Sequence, residues 1–193
     1  PYTYDWSNGA VTEDINTLSA GFYSVLVTDQ NGCQTSINNI EITQPNELLV
    51  SGITSDYSSY GVSCYNGSDG SIDLTLTGGV PPYTYLWSNG ELTQDVFNLS
   101  SGYYTVQVLD GNNCINELSF VIEEPFPIQI NYGFFNSECQ FNNGLIDVTV
   151  TGGVPPYSYS WSNGATTQDI DMLSPGDYYL SVVDDYGCDS DIS

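Results

Sequence analysis

Nine residues recur three times, as PYTYDWSNG from Pro1, PYTYLWSNG from Pro82 and PYSYSWSNG from Pro156, at offsets of 81 and then 74 residues. A second block keeps the same phase: TEDINTLSAGFYSV from Thr12, TQDVFNLSSGYYTV from Thr93 and TQDIDMLSPGDYYL from Thr167. A third ends each unit in a cysteine, at Cys33, Cys114 and Cys188. In-phase self-similarity over nearly the whole chain dictates a tandem array of one small structural unit. The register predicts a partial repeat over 1–46, a complete one over 47–124 and one truncated near its end over 125–193. The junctions at Gln44-Pro45-Asn46 and Glu123-Glu124-Pro125 are short, and their prolines restrict the backbone, so a stiff linear array is expected.

Within the complete unit the hydrophobic period is two. Ser71-Ile72-Asp73-Leu74-Thr75-Leu76-Thr77 alternates apolar with polar, as do Tyr104, Val106 and Val108 with Thr105, Gln107 and Leu109. Leu118, Phe120 and Ile122 mark a last strand. Gly78-Gly79-Val80-Pro81-Pro82 is a turn, and Asn89-Gly90 after Tyr83–Trp87 is a hairpin signal. No stretch has a helical period. The prediction is an all-β fold of about six strands per unit, arranged as immunoglobulin-like (PKD-like) sandwiches. The Leu99-Ser100-Ser101-Gly102-Tyr103-Tyr104 segment resembles a tyrosine corner, in which a phenol hydroxyl caps backbone groups; Tyr23 and Tyr178 are the equivalents of Tyr104. A plain core aromatic is the competing reading, and both are structural.

The chain contains no Lys, Arg or His against 24 acidic residues, a formal charge of −24. Such a surface repels phosphate backbones and anionic lipid, so neither nucleic acid nor membrane insertion is expected, and no run of roughly 18 apolar residues is present. Without His there is no Ser-His-Asp or Cys-His apparatus. Paired carboxylates remain, but nothing points to a cleft between them, and the expectation is that the protein is not an enzyme. Uncompensated charge strains the compact state unless salt or dissolved calcium screens it.

Five cysteines fall into phase with the repeat. The parity of six strands would place the loops holding Cys64 and Cys114 at one pole, predicting Cys64–Cys114 and Cys139–Cys188 disulfides within repeats, with Cys33 bonded to a residue before Pro1. A bond closing about 50 residues would contribute on the order of 4 kcal/mol. Asp14, Asp95 and Asp169 are positioned to cap a single helical turn. Asp69, Asp73 and Asp110 are the best calcium candidates, although Asp73 also fits an outward strand position; no cofactor is required. Trp6, Trp87 and Trp161, flanked by pairs such as Tyr83 and Tyr85, read as core by alternation, with a sugar-stacking platform as the alternative.

The run GGVPPYTYLWSNG followed by TQDVFNLSSGYYTVQVLDGNNC resembles the SprB repeat of large Bacteroidetes surface proteins, and the match covers all three units. The resemblance implies a filamentous cell-surface adhesin, exported by type IX secretion and used in gliding by some relatives, with no catalytic residues. The expected location is the bacterial cell surface. Expected partners are neighbouring repeats and an external surface or polysaccharide. Self-association into filaments is the alternative, and a carbohydrate-binding module is the third reading.

Overall fold

The computed structural model describes residues 1–136 and 143–192. These fall into two compact units, Pro1–Glu47 and Leu48–Ser193. No described residue is helical.

The first unit is one antiparallel sheet of β1 (Thr3–Trp6), β2 (Gly21–Thr28) and β3 (Gln34–Ile42), in spatial order β1-β2-β3. With one sheet, its apolar face stays half-covered: Trp6 is half-buried, and Val25 is the residue it buries well.

The second unit begins with β4 (Leu49–Thr54), β5 (Gly70–Thr77), β6 (Thr84–Trp87), β7 (Val96–Leu99), β8 (Gly102–Leu109) and β9 (Ile115–Ile122). They form two three-stranded antiparallel sheets, β4-β5-β7 and β6-β8-β9. The alternation read from sequence puts Ile72, Leu74, Val96 and Leu99 of one sheet against Trp87, Val106, Val108 and Ile122 of the other in one shared core. This is an immunoglobulin-like sandwich, stabilised by removing those apolar faces from water. Trp87 is 2% exposed, and its indole leans on Phe120 at 6.1 Å between ring centroids.

The set repeats as β10 (Gln129–Phe135), β11 (Gly144–Thr151), β12 (Ser158–Trp161), β13 (Ile170–Leu173), β14 (Leu180–Val183) and β15 (Asp189–Ile192). Its sheets are β10-β11-β13 and β12-β14-β15, closed around Val148, Trp161, Ile170, Leu173, Leu180 and Val182.

Each sandwich has two poles. At one, Gly70 faces Leu99, Gly102 faces Ile122, and the Gly61 amide donates to the Glu123 carbonyl at 2.8 Å. At the other, Leu49 faces Thr77, Leu109 faces Ile115, and the Gly111 amide donates to the Val80 carbonyl at 2.6 Å. Cys64, in the β4–β5 loop, belongs to the first pole, and Cys114, in the β8–β9 turn, to the second. The expected Cys64–Cys114 bond is therefore absent, and Cys114 is a free, exposed thiol.

The parity error has a physical cause. Strands β6 and β7 run toward the same pole, so residues 88–95 must recross the sandwich between them. They do so without a backbone ladder. Gln94 Nε2 donates to the Leu74 carbonyl at 2.6 Å, and Asp95 Oδ1 accepts from the Leu74 amide at 2.9 Å. Two side chains thus take the place of one missing rung, and a count of six strands omits that reversal. Gln168 and Asp169 treat Val148 in the same way. The role expected for Asp95 and Asp169 is corrected accordingly: there is no helical turn, and the carboxylates satisfy a strand amide.

Candidate functional site: the repeat-to-repeat junction

The terminal turns are built around one aspartate each. Asp184 Oδ1 accepts from the amides of Tyr186 and Cys188, both at 3.0 Å, and Oδ2 accepts from the Val154 amide at 2.9 Å. The Asp184 amide closes the turn on the Cys188 carbonyl at 3.0 Å, with Gly187 in the left-handed region at φ 85°. Asp110 does the same with Asn112 at 2.9 Å, Cys114 at 2.8 Å and Val80 at 2.9 Å; Asp29 holds Asn31 and Cys33, both at 2.8 Å. One carboxylate thereby shapes the turn and sets the cysteine at its end. The Asp-x-x-x-Cys spacing at 29–33, 110–114 and 184–188 carries this signal in the sequence.

The cysteine opposite lies in a differently built loop. Asp69 Oδ1 accepts from the Ser63 amide at 3.0 Å, and the Gly67 amide donates to the Cys64 carbonyl at 2.8 Å. The Asn66 amide donates to Glu124 at 2.6 Å, tying the loop to the chain as it leaves the sandwich.

Strand β9 ends at the pole of this loop, so the chain enters the following sandwich at that sandwich's opposite pole, where the Cys188 turn lies. Cys64 and Cys188 form a disulfide with a Cα–Cα separation of 5.7 Å and a sequence separation of 124. Around it, Tyr186 meets Tyr57 edge-on at 5.4 Å between centroids, and the Tyr186 and Ser58 hydroxyls hydrogen-bond at 3.1 Å. The expected Cys139–Cys188 bond is excluded by this pairing; Cys139 itself lies outside the described residues. Cys33 is free and exposed. A chain with no cation cannot join its sandwiches by ion pairs, and here a covalent bond, a ring contact and neutral hydrogen bonds do so.

Asp69, Asp73 and Asp110 do not converge. Asp69 shapes the Cys64 loop, Asp110 the opposite pole, and Asp73 sits exposed on β5 across from Ile53. Among the described residues no three acidic or cysteine side chains are grouped to hold a metal ion. Asp69 and Asp110 cap turns, and Asp73 is the outward side chain of a strand.

Trp87 and Trp161 are buried, and Trp6, Tyr23, Tyr104 and Tyr178 are half-buried. The indole N–H groups of Trp6, Trp87 and Trp161 each donate at 2.9 Å, to the carbonyls of Thr12, Thr93 and Thr167. Tyr23, Tyr104 and Tyr178 donate to the carbonyls of Ser19, Ser100 and Ser174 at 2.9, 3.0 and 3.0 Å, the tyrosine-corner geometry. Tyr83 and Tyr85 pack against the core, and burial raises the Tyr85 phenol above its ordinary pKa, with the Asp95 charge adding to it. Trp87 and Trp161, 2% and 4% exposed, offer no stacking face to a sugar.

The Asp110 carboxyl is held below the ordinary carboxylate range, chiefly by the Cys114 amide; desolvation opposes this, and the Val80 and Asn112 amides reinforce it. At Asp69 burial alone would raise the pKa, but the hydrogen bonds from Ser63 outweigh it and the net shift is downward. The Asp110 charge pushes the Cys114 thiol up. A depressed folded-state pKa contributes stability that is complete above the ordinary value and is lost as pH falls through the folded one. Protonating other carboxylates meanwhile relieves repulsion. Thermal stability is expected to peak between about pH 4 and 5 and to fall below about pH 3.5. Asp110→Asn should blunt the acid-side fall in a pH series of melting curves, and a steady loss from neutral pH down to pH 4 would contradict the assignment.

The SprB repeat matches the chain at two places, residues 61–92 and 136–166. The first span runs from the Cys64 loop through the Trp87 hairpin. No curated protein matches. Among solved structures, the chain is similar to the N-terminal eight Ig domains of Down Syndrome Cell Adhesion Molecule isoform 1.30.30, with 12% identity and a TM-score of 0.31, covering 98% of this chain and 36% of that one. It therefore spans about a third of that molecule. A second likeness is to the complex of Dpr2 Ig1-Ig2 with DIP-Theta Ig1-Ig3, with 12% identity and a TM-score of 0.29, covering 98% of this chain and 87% of that one.

Proposed function

We propose that this SprB-repeat chain is a spacer segment of a long cell-surface adhesin, a non-catalytic stalk that holds a contact site away from the cell and bears tension along its length. The observation that carries the reading is the Cys64–Cys188 bond, which joins two successive sandwiches that each already have their own core. A bond placed there adds little to the packing of either sandwich but fixes one to the next, which is what a stalk under load needs. The SprB repeat supports the surface location. Surface attachment, type IX export and participation in gliding motility extend the same reading. The burial of Trp87 and Trp161 speaks against a sugar-binding platform, and the charge of −24 opposes lateral assembly into a filament.

Sedimentation velocity in about 0.15 M salt, where the screening length is about 8 Å, is expected to give the monomer mass across a protein concentration series, with or without millimolar calcium. Reversible growth with concentration or calcium would replace the stalk by a self-assembling filament.

A further inference from the structure

The cysteines of this chain form two positional classes. In sequence, Cys64 and Cys139 stand ahead of the Gly that opens β5 and β11 and make one class, the loop class, named after the loop that holds Cys64; Cys33, Cys114 and Cys188 end the terminal turns. We infer that the turn cysteine of every repeat accepts a disulfide from the loop cysteine of the repeat before it, so that Cys33 and Cys114 are linkage positions and an array of such repeats is bonded successively from one sandwich to the next.

Three observations carry this. Cys188, the turn cysteine that has a whole loop-bearing repeat directly ahead of it, is the one bonded, and its partner is in that repeat. The free turn cysteines are built like the bonded one: the aspartate amide donates to the cysteine carbonyl at 2.9 Å for Asp29–Cys33 and at 3.0 Å for Asp110–Cys114 and Asp184–Cys188, and the carboxylate returns to the cysteine amide in each. Both free thiols are exposed at the ends of these turns. Finally, the connecting segments have the same length and share a proline at the fourth position: Ile42-Thr43-Gln44-Pro45-Asn46-Glu47-Leu48 corresponds residue for residue to Ile122-Glu123-Glu124-Pro125-Phe126-Pro127-Ile128. The ring contact is not shared, since Tyr186 corresponds to Asn112 and Asn31, which leaves the disulfide as the common element.

Bond formation needs a two-electron oxidant, a protein or small-molecule disulfide of the oxidising compartment. The loop thiolate attacks it, forming a mixed disulfide and releasing one thiolate. The turn cysteine loses its proton to solvent, attacks the loop sulfur and expels the second thiolate. The array gains one disulfide, and the oxidant leaves as two thiols.

The consequence is mechanical. From a turn cysteine to the next loop cysteine is 31 residues for Cys33 to Cys64 and 25 for Cys114 to Cys139. The shortest covalent route along the array crosses two repeats with those 25 or 31 residues and one disulfide, about 80–110 Å at full stretch. An eight-residue strand is already about 27 Å long, so two stacked sandwiches occupy a comparable distance and unfolding adds little length.

The test uses the full chain with a second copy of residues 45–124 inserted between Glu124 and Pro125. Tyr65→Phe and Ile115→Val in the inserted copy, both at exposed positions, give its cysteine peptides distinct masses. After oxidative folding, alkylation and peptic mapping without reductant, Cys64 of the original repeat is expected to be joined to Cys114 of the copy, and Cys64 of the copy to Cys188. Recovery of the copy's Cys114 as an alkylated thiol, or joined to Cys64 of its own repeat, would overturn the inference. The result does not depend on the adhesin reading, because a covalent array is compatible with other extracellular roles and an unlinked one with a stalk.

Discussion

Replacing Cys64 by serine is expected to lower the stability of the sandwich spanning residues 125–192 by about 4 kcal/mol, while Cys114→Ser leaves it within about 0.5 kcal/mol. When that sandwich unfolds and its neighbour stays folded, the bond to Cys188 still closes a loop of roughly 60 residues, and the chain-entropy relation for such a loop gives this magnitude. For a domain of this size the change corresponds to a fall in melting temperature on the order of 15–30 °C. Calorimetry of the two variants measures it directly. Equal melting temperatures for Cys64→Ser and the parent chain, or a loss on Cys114→Ser instead, would show that the sandwich is not held through Cys64.

The contrast between the two serines also separates what the sequence makes legible from what it does not. The repeat, the all-β fold and the internal placement of Trp87 follow from period-two alternation and from recurrence in phase, because apolar burial on a two-sheet core leaves that imprint directly. The tyrosine corner was legible for a similar reason: Tyr104 sits at a fixed offset from a Leu-Ser-x-Gly turn, and its hydroxyl bonds to the Ser100 carbonyl four residues back. The disulfide was not legible. Its prediction depended on counting chain reversals, and one reversal is held by the Gln94 and Asp95 side chains rather than by a backbone ladder, so no alternation marks it. The aspartates were misassigned for a related reason. A carboxylate that caps a turn and one that binds a cation have the same sequence appearance, and Asp110 is distinguished only by accepting three amide hydrogen bonds from its own loops. The Asp-x-x-x-Cys spacing, present in every unit, was the available clue that Asp110 belongs to its cysteine and not to Asp69.

The absence of basic residues acquires a physical meaning in this setting. Sandwiches of like charge repel one another, and no guanidinium or ammonium group is present to bridge them. A disulfide does not depend on charge or salt. The Cys64–Cys188 bond keeps the two sandwiches adjacent under conditions in which their electrostatics alone would drive them apart.

The two sandwiches of residues 48–192 are expected to resist extension as one covalently bridged segment, which single-molecule force spectroscopy on the 193-residue chain held at its two ends measures. With the Cys64–Cys188 bond intact, tension passes through the disulfide and the intervening chain is bypassed. Adding reductant should release the length hidden behind a sequence separation of 124, about 410–450 Å of additional extension when both sandwiches unfold. The same total extension with and without reductant would mean that the bond lies outside the path that carries the load and that the two sandwiches are not one bridged segment.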